Sequence, residues 1–382
     1  MAEDKIDNTK LMFVLSGDFG ELATAMYFIR GYPFQTVFLM PNRLFQLHQN
    51  CVAGSAYLYS SIEDVTAFVE KERPDILFLF SGYLFAINKI FNLETLEPFV
   101  QEMMAANRCV VTSDPFLGIM SEINESTFNQ RHPLRFWFIE HFSNVSRIFK
   151  NVMHLYLIDV QEFVRAPSTS FFNPNILVDR GYNAEQSMQL AASIGLKPDK
   201  NRWLFILSTE DYSWQITRHG IEQFREMLVR TLNQAVAAGR QPVLIAPQEA
   251  FETYKINHQS IEGLVFTPHC MYDTFMALLF DAEYVFYWNI FSNSIPARLL
   301  NHLPVFFFEP GHMVHAIPAM LNAGLKYYYF GSELAYLDQN DMPSLENLTA
   351  LAVKQDDSLA GAIENFMRSP HPDEMVSKLL KR

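Results

Sequence analysis

The stretch Tyr284–His312, YVFYWNIFSNSIPARLLNHLPVFFFEPGH, decides the reading of the fold. An apolar run, Tyr284–Trp288, meets a small polar cluster, Ser292, Asn293 and Ser294. A helical pattern follows over Ile295–Asn301, then a second apolar run, Pro304–Phe308, and a polar turn, Glu309-Pro310-Gly311-His312. Both apolar runs are short and hydrophobic at successive positions, as strands buried on both faces require. Strand, turn, helix, strand and turn form the repeating unit of a parallel α/β sheet. Both turns fall at the carboxyl ends of their strands, where open α/β sheets bind ligands. Ser292–Ser294 also open a helix, where free N–H groups and the positive end of the dipole suit phosphate. The segment points to a nucleotide or sugar-nucleotide site in the second half of the chain.

The same alternation covers the rest of the sequence. Upstream, strands are expected at Leu11–Leu15, Thr36–Met40, Ala56–Tyr59, Ile76–Phe80, Cys109–Thr112 and His154–Ile158. Helical patterns lie between them at Leu22–Arg30, Ile62–Glu72 and Glu94–Ala106. The pattern restarts after a break, with strands at Trp203–Leu207, Pro242–Ile245 and Leu264–Phe266 and helices at Gly220–Ala238 and Tyr272–Phe280. Strands separated by helices imply crossover connections and parallel sheets. The break is polar and Pro-containing, and includes a helical pattern at Ala184–Ile194. The expected organisation is an N-terminal α/β domain over 1–165, a connection over 166–200, a second α/β domain over 201–345 and C-terminal helices over 346–382.

Composition narrows the partners. A chain of 382 residues is long for one core, so two domains are expected. Phe is frequent, at 34 residues, and the interior should be rich in aromatic rings. The formal net charge of −13 excludes a nucleic-acid polyanion as the main partner, because such binding needs a basic footprint. Three scattered cysteines form neither a disulfide framework nor a metal pattern, as suits a reducing cytosol. The polar start, MAEDKIDNTK, reads as no signal peptide, and no apolar run reaches the ~18–20 residues of a membrane span. A cytoplasmic location is the expectation.

On these residues the chain resembles the GT-B glycosyltransferases. The resemblance covers the organisation of nearly the whole chain and is sharpest at Ser16–Glu21 (SGDFGE) and Ser292–His312. The first turn is similar to the N-terminal loop of protein-arginine rhamnosyltransferases and to the Gly-Asp turn of polysaccharide pyruvyl transferases. The second is similar to the donor-phosphate region of many GT-B members, with Ser294, Arg298, Pro304, Val305 and Gly311-His312 at the corresponding positions. One departure stands out: Pro296-Ala297-Arg298 lacks the ribose-binding Glu that many retaining members carry. The resemblance implies two Rossmann-like doubly wound domains facing a cleft, with the nucleotide sugar on the C-terminal one. The acceptor lies on the N-terminal one.

Each candidate residue also has an ordinary structural reading. Asp18 and Glu21 follow the first expected strand; one could deprotonate an acceptor, or the pair could cap the next helix. Asp114, in Thr112-Ser113-Asp114-Pro115, is a second candidate base or simply an Asp-Pro turn. In the second half, Ser208 and Thr209 end a strand where donor phosphates would lie, and His269 ends another near a nucleobase. Ser292, Asn293 and Ser294 are the leading diphosphate ligands, against a plain N-cap. Arg298 would counter phosphate charge or pair with an acid. Glu309, Gly311 and His312 would lie near the sugar, with His315 a weaker candidate. Arg131–His154 mixes aromatic and basic residues, and reads first as an amphipathic helix packed inward, otherwise as a contact with a membrane surface or an acidic acceptor.

The expected activity is transfer of a sugar from a nucleoside diphosphate sugar to an acceptor, by inversion, with neither a metal nor another cofactor. The acceptor, whether saccharide, protein or lipid, is not legible. Two alternatives keep the fold: a pyruvyl or glycerophosphate transferase of polymer biosynthesis, and a catalytically silent binding protein.

Overall fold

The computed structural model describes residues 8–17, 19–87, 91–106, 108–119, 126–160, 167–177, 194–197, 201–255, 261–268 and 270–381. Among the described residues, twelve strands form two sheets, with every pairing parallel. The first sheet contains β1 (Lys10–Leu15), β2 (Gln35–Met40), β3 (Ser55–Leu58), β4 (Ile76–Phe80), β5 (Cys109–Ser113), β6 (Met153–Tyr156) and β7 (Ser168–Ser170). Its order is β3-β2-β1-β4-β5-β6-β7. The second contains β8 (Arg202–Ile206), β9 (Gln241–Ile245), β10 (Val265–Thr267), β11 (Tyr284–Tyr287) and β12 (Val305–Phe307), in the order β10-β9-β8-β11-β12. Each sheet grows outward on one side of its first strand and then reverses to the other. Both are therefore doubly wound, as expected.

The frequent phenylalanines have a definite place. In parallel register Phe13 lies beside Phe38 and Phe78, and the rings stack at 5.1 and 4.9 Å between centroids. In the second sheet Phe286 lies beside Phe205 and Phe306, with centroids 4.7 and 5.5 Å apart. Neighbouring strands are about 4.8 Å apart, a spacing suited to offset ring stacking. A row of phenyl rings thus runs across the middle of each sheet, within its core.

The chain forms two compact units, 1–176 with 316–323 and 364–382, and 177–315 with 324–363. Its end is divided differently from the sequence expectation. The helix Leu345–Met367 starts in the second unit, and Pro372–Leu379 places Met375, Val376 and Leu379 in the first unit's core. The expected connection also contributes: Ser168–Ser170 pairs with β6, an edge strand too short and polar to read from sequence. The helix expected at Ala184–Ile194 lies outside the described residues except for its last position. Among the described residues, no helix is long and apolar enough to cross a membrane.

Phe286 is fully buried at the centre of its row. Phe286→Ala should lower unfolding free energy by about 3–5 kcal/mol, measured by denaturant titration.

Candidate functional site

The second sheet reverses direction at β8 and β11, the position where open sheets part their loops and take ligands. Ser208 follows β8 and caps the helix Thr209–His219. Its hydroxyl accepts from the Asp211 N–H at 3.0 Å and donates to Asp211 Oδ2 at 2.8 Å. Asp211 is 1% exposed and gathers three strand-end loops. It also accepts from Asn289 Nδ2, after β11, at 2.6 Å. From the loop after β12 it accepts the His312 N–H at 3.0 Å and His312 Nδ1 at 2.9 Å. Burial raises the Asp211 pKa, but the His312 ring, its charge and its N–H, together with Ser208, outweigh burial and hold the carboxyl below its usual range. An ionised carboxylate only accepts, so Nδ1 of His312 carries a proton toward it and the ring orientation is set.

A second buried acid lies on the same loop. Glu309 pairs with Arg218, from the last turn of the helix Thr209–His219, and with His315 Nε2 at 3.3 Å. Burial again raises the pKa, and His315 and Arg218 more than offset it, leaving the carboxyl below its usual range. Trp214 stacks on the His315 ring at 4.4 Å. Arg218, His312 and His315 remain 47, 34 and 29% exposed at their side chains. Buried carboxylates thus hold basic groups at this sheet edge. Gly311 makes the turn possible: its φ is +97°, and a Cβ there would come within 2.5 Å of Asn289 Cβ.

The sequence candidates fall into three groups. Ser208, Gly311 and His312 meet in the Asp211 network, while Thr209 starts its helix, exposed. Ser292 and Asn293 are half-buried beside the helix Ser294–Leu299. The Ser294 hydroxyl turns inward, 2.9 Å from Tyr287 OH and 2.7 Å from Ser292 Oγ. Glu309 faces protein cations rather than open solvent, so its expected sugar contact gives way to a bracing role.

Arg298 is corrected most fully. It is 0% exposed, and Nη1 and Nη2 donate to the carbonyls of Leu279, Ala282, Glu283 and Pro304 at 2.7–3.2 Å. It ties the C-terminal end of the helix Tyr272–Asp281 to the start of β12, and its side chain is not presented to a phosphate. Asp18 and His269 lie outside the described residues. Asp211, Asn289 and Arg218 were not among the sequence candidates. The Ser208-x-x-Asp211 spacing was the available signal for one of them, since it matches a capping pattern. The other two are joined only by folding.

In the first unit the corresponding reversal lies between β1 and β4. Glu21 is 4% exposed and accepts from the Ser16 N–H at 2.5 Å and from the Ser16 hydroxyl. That folds the carboxylate back onto its own turn, where it braces Ser16. Asp114 accepts from the N–H groups of Phe116 and Gly118 at 2.8 and 2.7 Å, and from Tyr156 OH at 3.4 Å. Burial dominates these bonds and pushes its pKa up to about 6. Nearby, His154 Nδ1 donates to the Val152 carbonyl at 2.9 Å, so Nε2 accepts from Tyr83 OH, also at 2.9 Å. Burial pushes the His154 pKa down to about 4.

No family model matches the chain. No curated protein sequence matches it either. Solved structures do match in fold. The glycotransferase of kitacinnamycin superposes with a TM-score of 0.54 at 11% identity, over 98% of each chain. UGT2 of Phytolacca americana, complexed with UDP-2fluoro-glucose and pterostilbene, gives 0.53 at 11% identity, over 98% of this chain and 99% of that one. The UDP-GlcNAc 2-epimerase of Methanocaldococcus jannaschii gives 0.51 at 10% identity, again over 98 and 99%. At these identities the likeness establishes the GT-B fold.

Two outcomes follow from these geometries. Arg298→Ala leaves four carbonyls, two of them in fully buried bonds, without this donor and should cost about 3 kcal/mol of stability in denaturant unfolding. A phosphate ligand would instead lose binding with stability intact. Asp114 and His154 should show opposite pH dependences. Asp114 binds its proton more tightly when folded, so its contribution to stability falls as pH rises from about 4 to about 6, by roughly 3 kcal/mol. His154 binds its proton less tightly when folded, so its contribution rises with pH between about 4 and 6.5. In unfolding measured against pH between about 4 and 6, Asp114→Asn should therefore leave the His154 rise uncancelled, and His154→Asn should leave the Asp114 fall uncancelled.

Proposed function

We propose that this chain is a glycosyltransferase whose nucleoside diphosphate sugar is held on the strand-end loops of the second unit. The observation that carries this reading is the set of basic side chains, Arg218, His312 and His315, oriented by the buried carboxylates of Asp211 and Glu309 at the sheet's reversal. A diphosphate needs positive potential and N–H or O–H donors in a fixed array. His312 supplies a basic group at the loop after β12. Thr209 and the half-buried Ser292 and Asn293 supply donors after β8 and β11. As the sugar–phosphate bond breaks, charge grows on the departing diphosphate, and groups already in place stabilise it without reorganising. The proton of the incoming hydroxyl is assigned to a strand-end carboxylate of the first unit. Asp18 is the leading candidate, because Glu21 is engaged by Ser16 and Asp114 by two backbone N–H groups. Transfer by a single displacement, with inversion, is the simplest chemistry for such a base.

A second reading, sugar-nucleotide epimerisation, is supported by the likeness to the Methanocaldococcus jannaschii epimerase. It shares the donor site and differs in needing no acceptor.

Thermal unfolding of the full chain with UDP, GDP, dTDP and CDP tests the shared step. One nucleotide should raise stability, by about 2.7 kcal/mol at a concentration one hundred times its Kd. His312→Ala should retain the fold and lose most of that gain. No response to any nucleotide, or to the matching nucleotide sugars, would sink the donor reading. If a nucleotide binds, incubating its sugar derivative without acceptor separates the two chemistries: a new epimer at unchanged nucleotide-sugar concentration overturns the transferase reading.

A further inference from the structure

We propose that the start of the helix Arg135–Phe149 is a docking surface for an anionic lipid bilayer. The helix buries His141, Phe142, Val145 and Phe149, which recur at helical spacing and form its inward face. At the start of this helix, large apolar side chains remain exposed. Leu134, Phe136 and Trp137 are 55, 59 and 47% exposed, three large apolar residues in four positions, with Arg135 among them. Isolated exposed hydrophobic residues need no explanation, but a contiguous aromatic cluster does.

Charge selects the partner. The chain carries a formal net charge of −13, which repels an anionic surface. From Ser126 to Ile139, however, the sequence contains Arg131, His132 and Arg135 and no acid, and Glu140 is the one acid in the next turn. Arg131 is exposed at this end. The Arg135 guanidinium lies 4.3 Å from the Phe136 ring centroid and donates to the Gln130 carbonyl at 2.9 Å. This places a cation directly against the exposed aromatic patch. Trp137 stacks flat on His141 at 4.9 Å, with planes 10° apart, so its ring is held in place. A fixed tryptophan beside arginines suits the headgroup boundary, where the ring meets acyl chains and the cations meet lipid phosphate. This surface is independent of the donor reading and would stand without it.

Sedimentation of the full chain with phosphatidylcholine vesicles, with and without phosphatidylglycerol, tests it. The protein should co-sediment with the phosphatidylglycerol vesicles and be released by high salt. The double substitution Phe136→Ser with Trp137→Ser should lower binding by about tenfold or more, since it removes the apolar anchor. Both side chains are about half exposed, so the variant should remain folded. If that variant is unstable, Arg131→Glu alone should weaken binding to the anionic vesicles. Failure to bind the anionic vesicles, or equal binding by wild type and folded variants, overturns the proposal. So does sedimentation velocity without lipid showing a dimer that the double substitution converts to monomer, because a second copy of the chain would then cover the patch.

Discussion

Parallel, in-register pairing is the constraint on which the rest of this structure depends. It aligns Phe13 with Phe38 and Phe78, and Phe286 with Phe205 and Phe306, so each sheet is joined through its interior by stacked rings. Because all strands of a sheet point the same way, their carboxyl ends lie along one edge. Loops far apart in sequence are thereby brought together. Asp211 can reach Asn289 and His312 only because β8, β11 and β12 are neighbours that end side by side.

That edge shows a consistent electrostatic arrangement. Asp211 and Glu309 are buried, and each is held ionised by hydrogen bonds and basic partners strong enough to offset the cost of burial. The partly exposed groups they hold are basic. Arg298 is a different solution to burial. Its guanidinium has no carboxylate partner among the bonds it makes, and donates to main-chain carbonyls around a helix end. It joins the end of the helix Tyr272–Asp281 to the start of β12.

The fold was legible because its signals are local. Apolar runs such as Ile76–Phe80 and Tyr284–Tyr287 are five and four residues long and completely buried, which is the pattern a central parallel strand needs. The polar strand Ser168–Ser170 and the helix Thr209–His219 lack such patterns. The first is stabilised by pairing with β6, and the second by its cap and by contacts such as Arg218 with Glu309. Candidate positions were also partly legible, since Ser208, Gly311 and His312 stand at strand ends. Their roles were less so. Arg298 and Ser294 sit in a motif suited to phosphate, yet both side chains turn inward.

The sequence by itself determined two parallel α/β sheets, because burial on both faces and the spacing of strands and helices are written in neighbouring residues. It also determined which loops would stand at strand ends. Only the tertiary structure decided which polar side chains face outward and which brace the scaffold. That choice turns on contacts between residues as distant as Asp211 and His312, and on whether desolvation is compensated at each. Neither is visible in the spacing of residues along the chain.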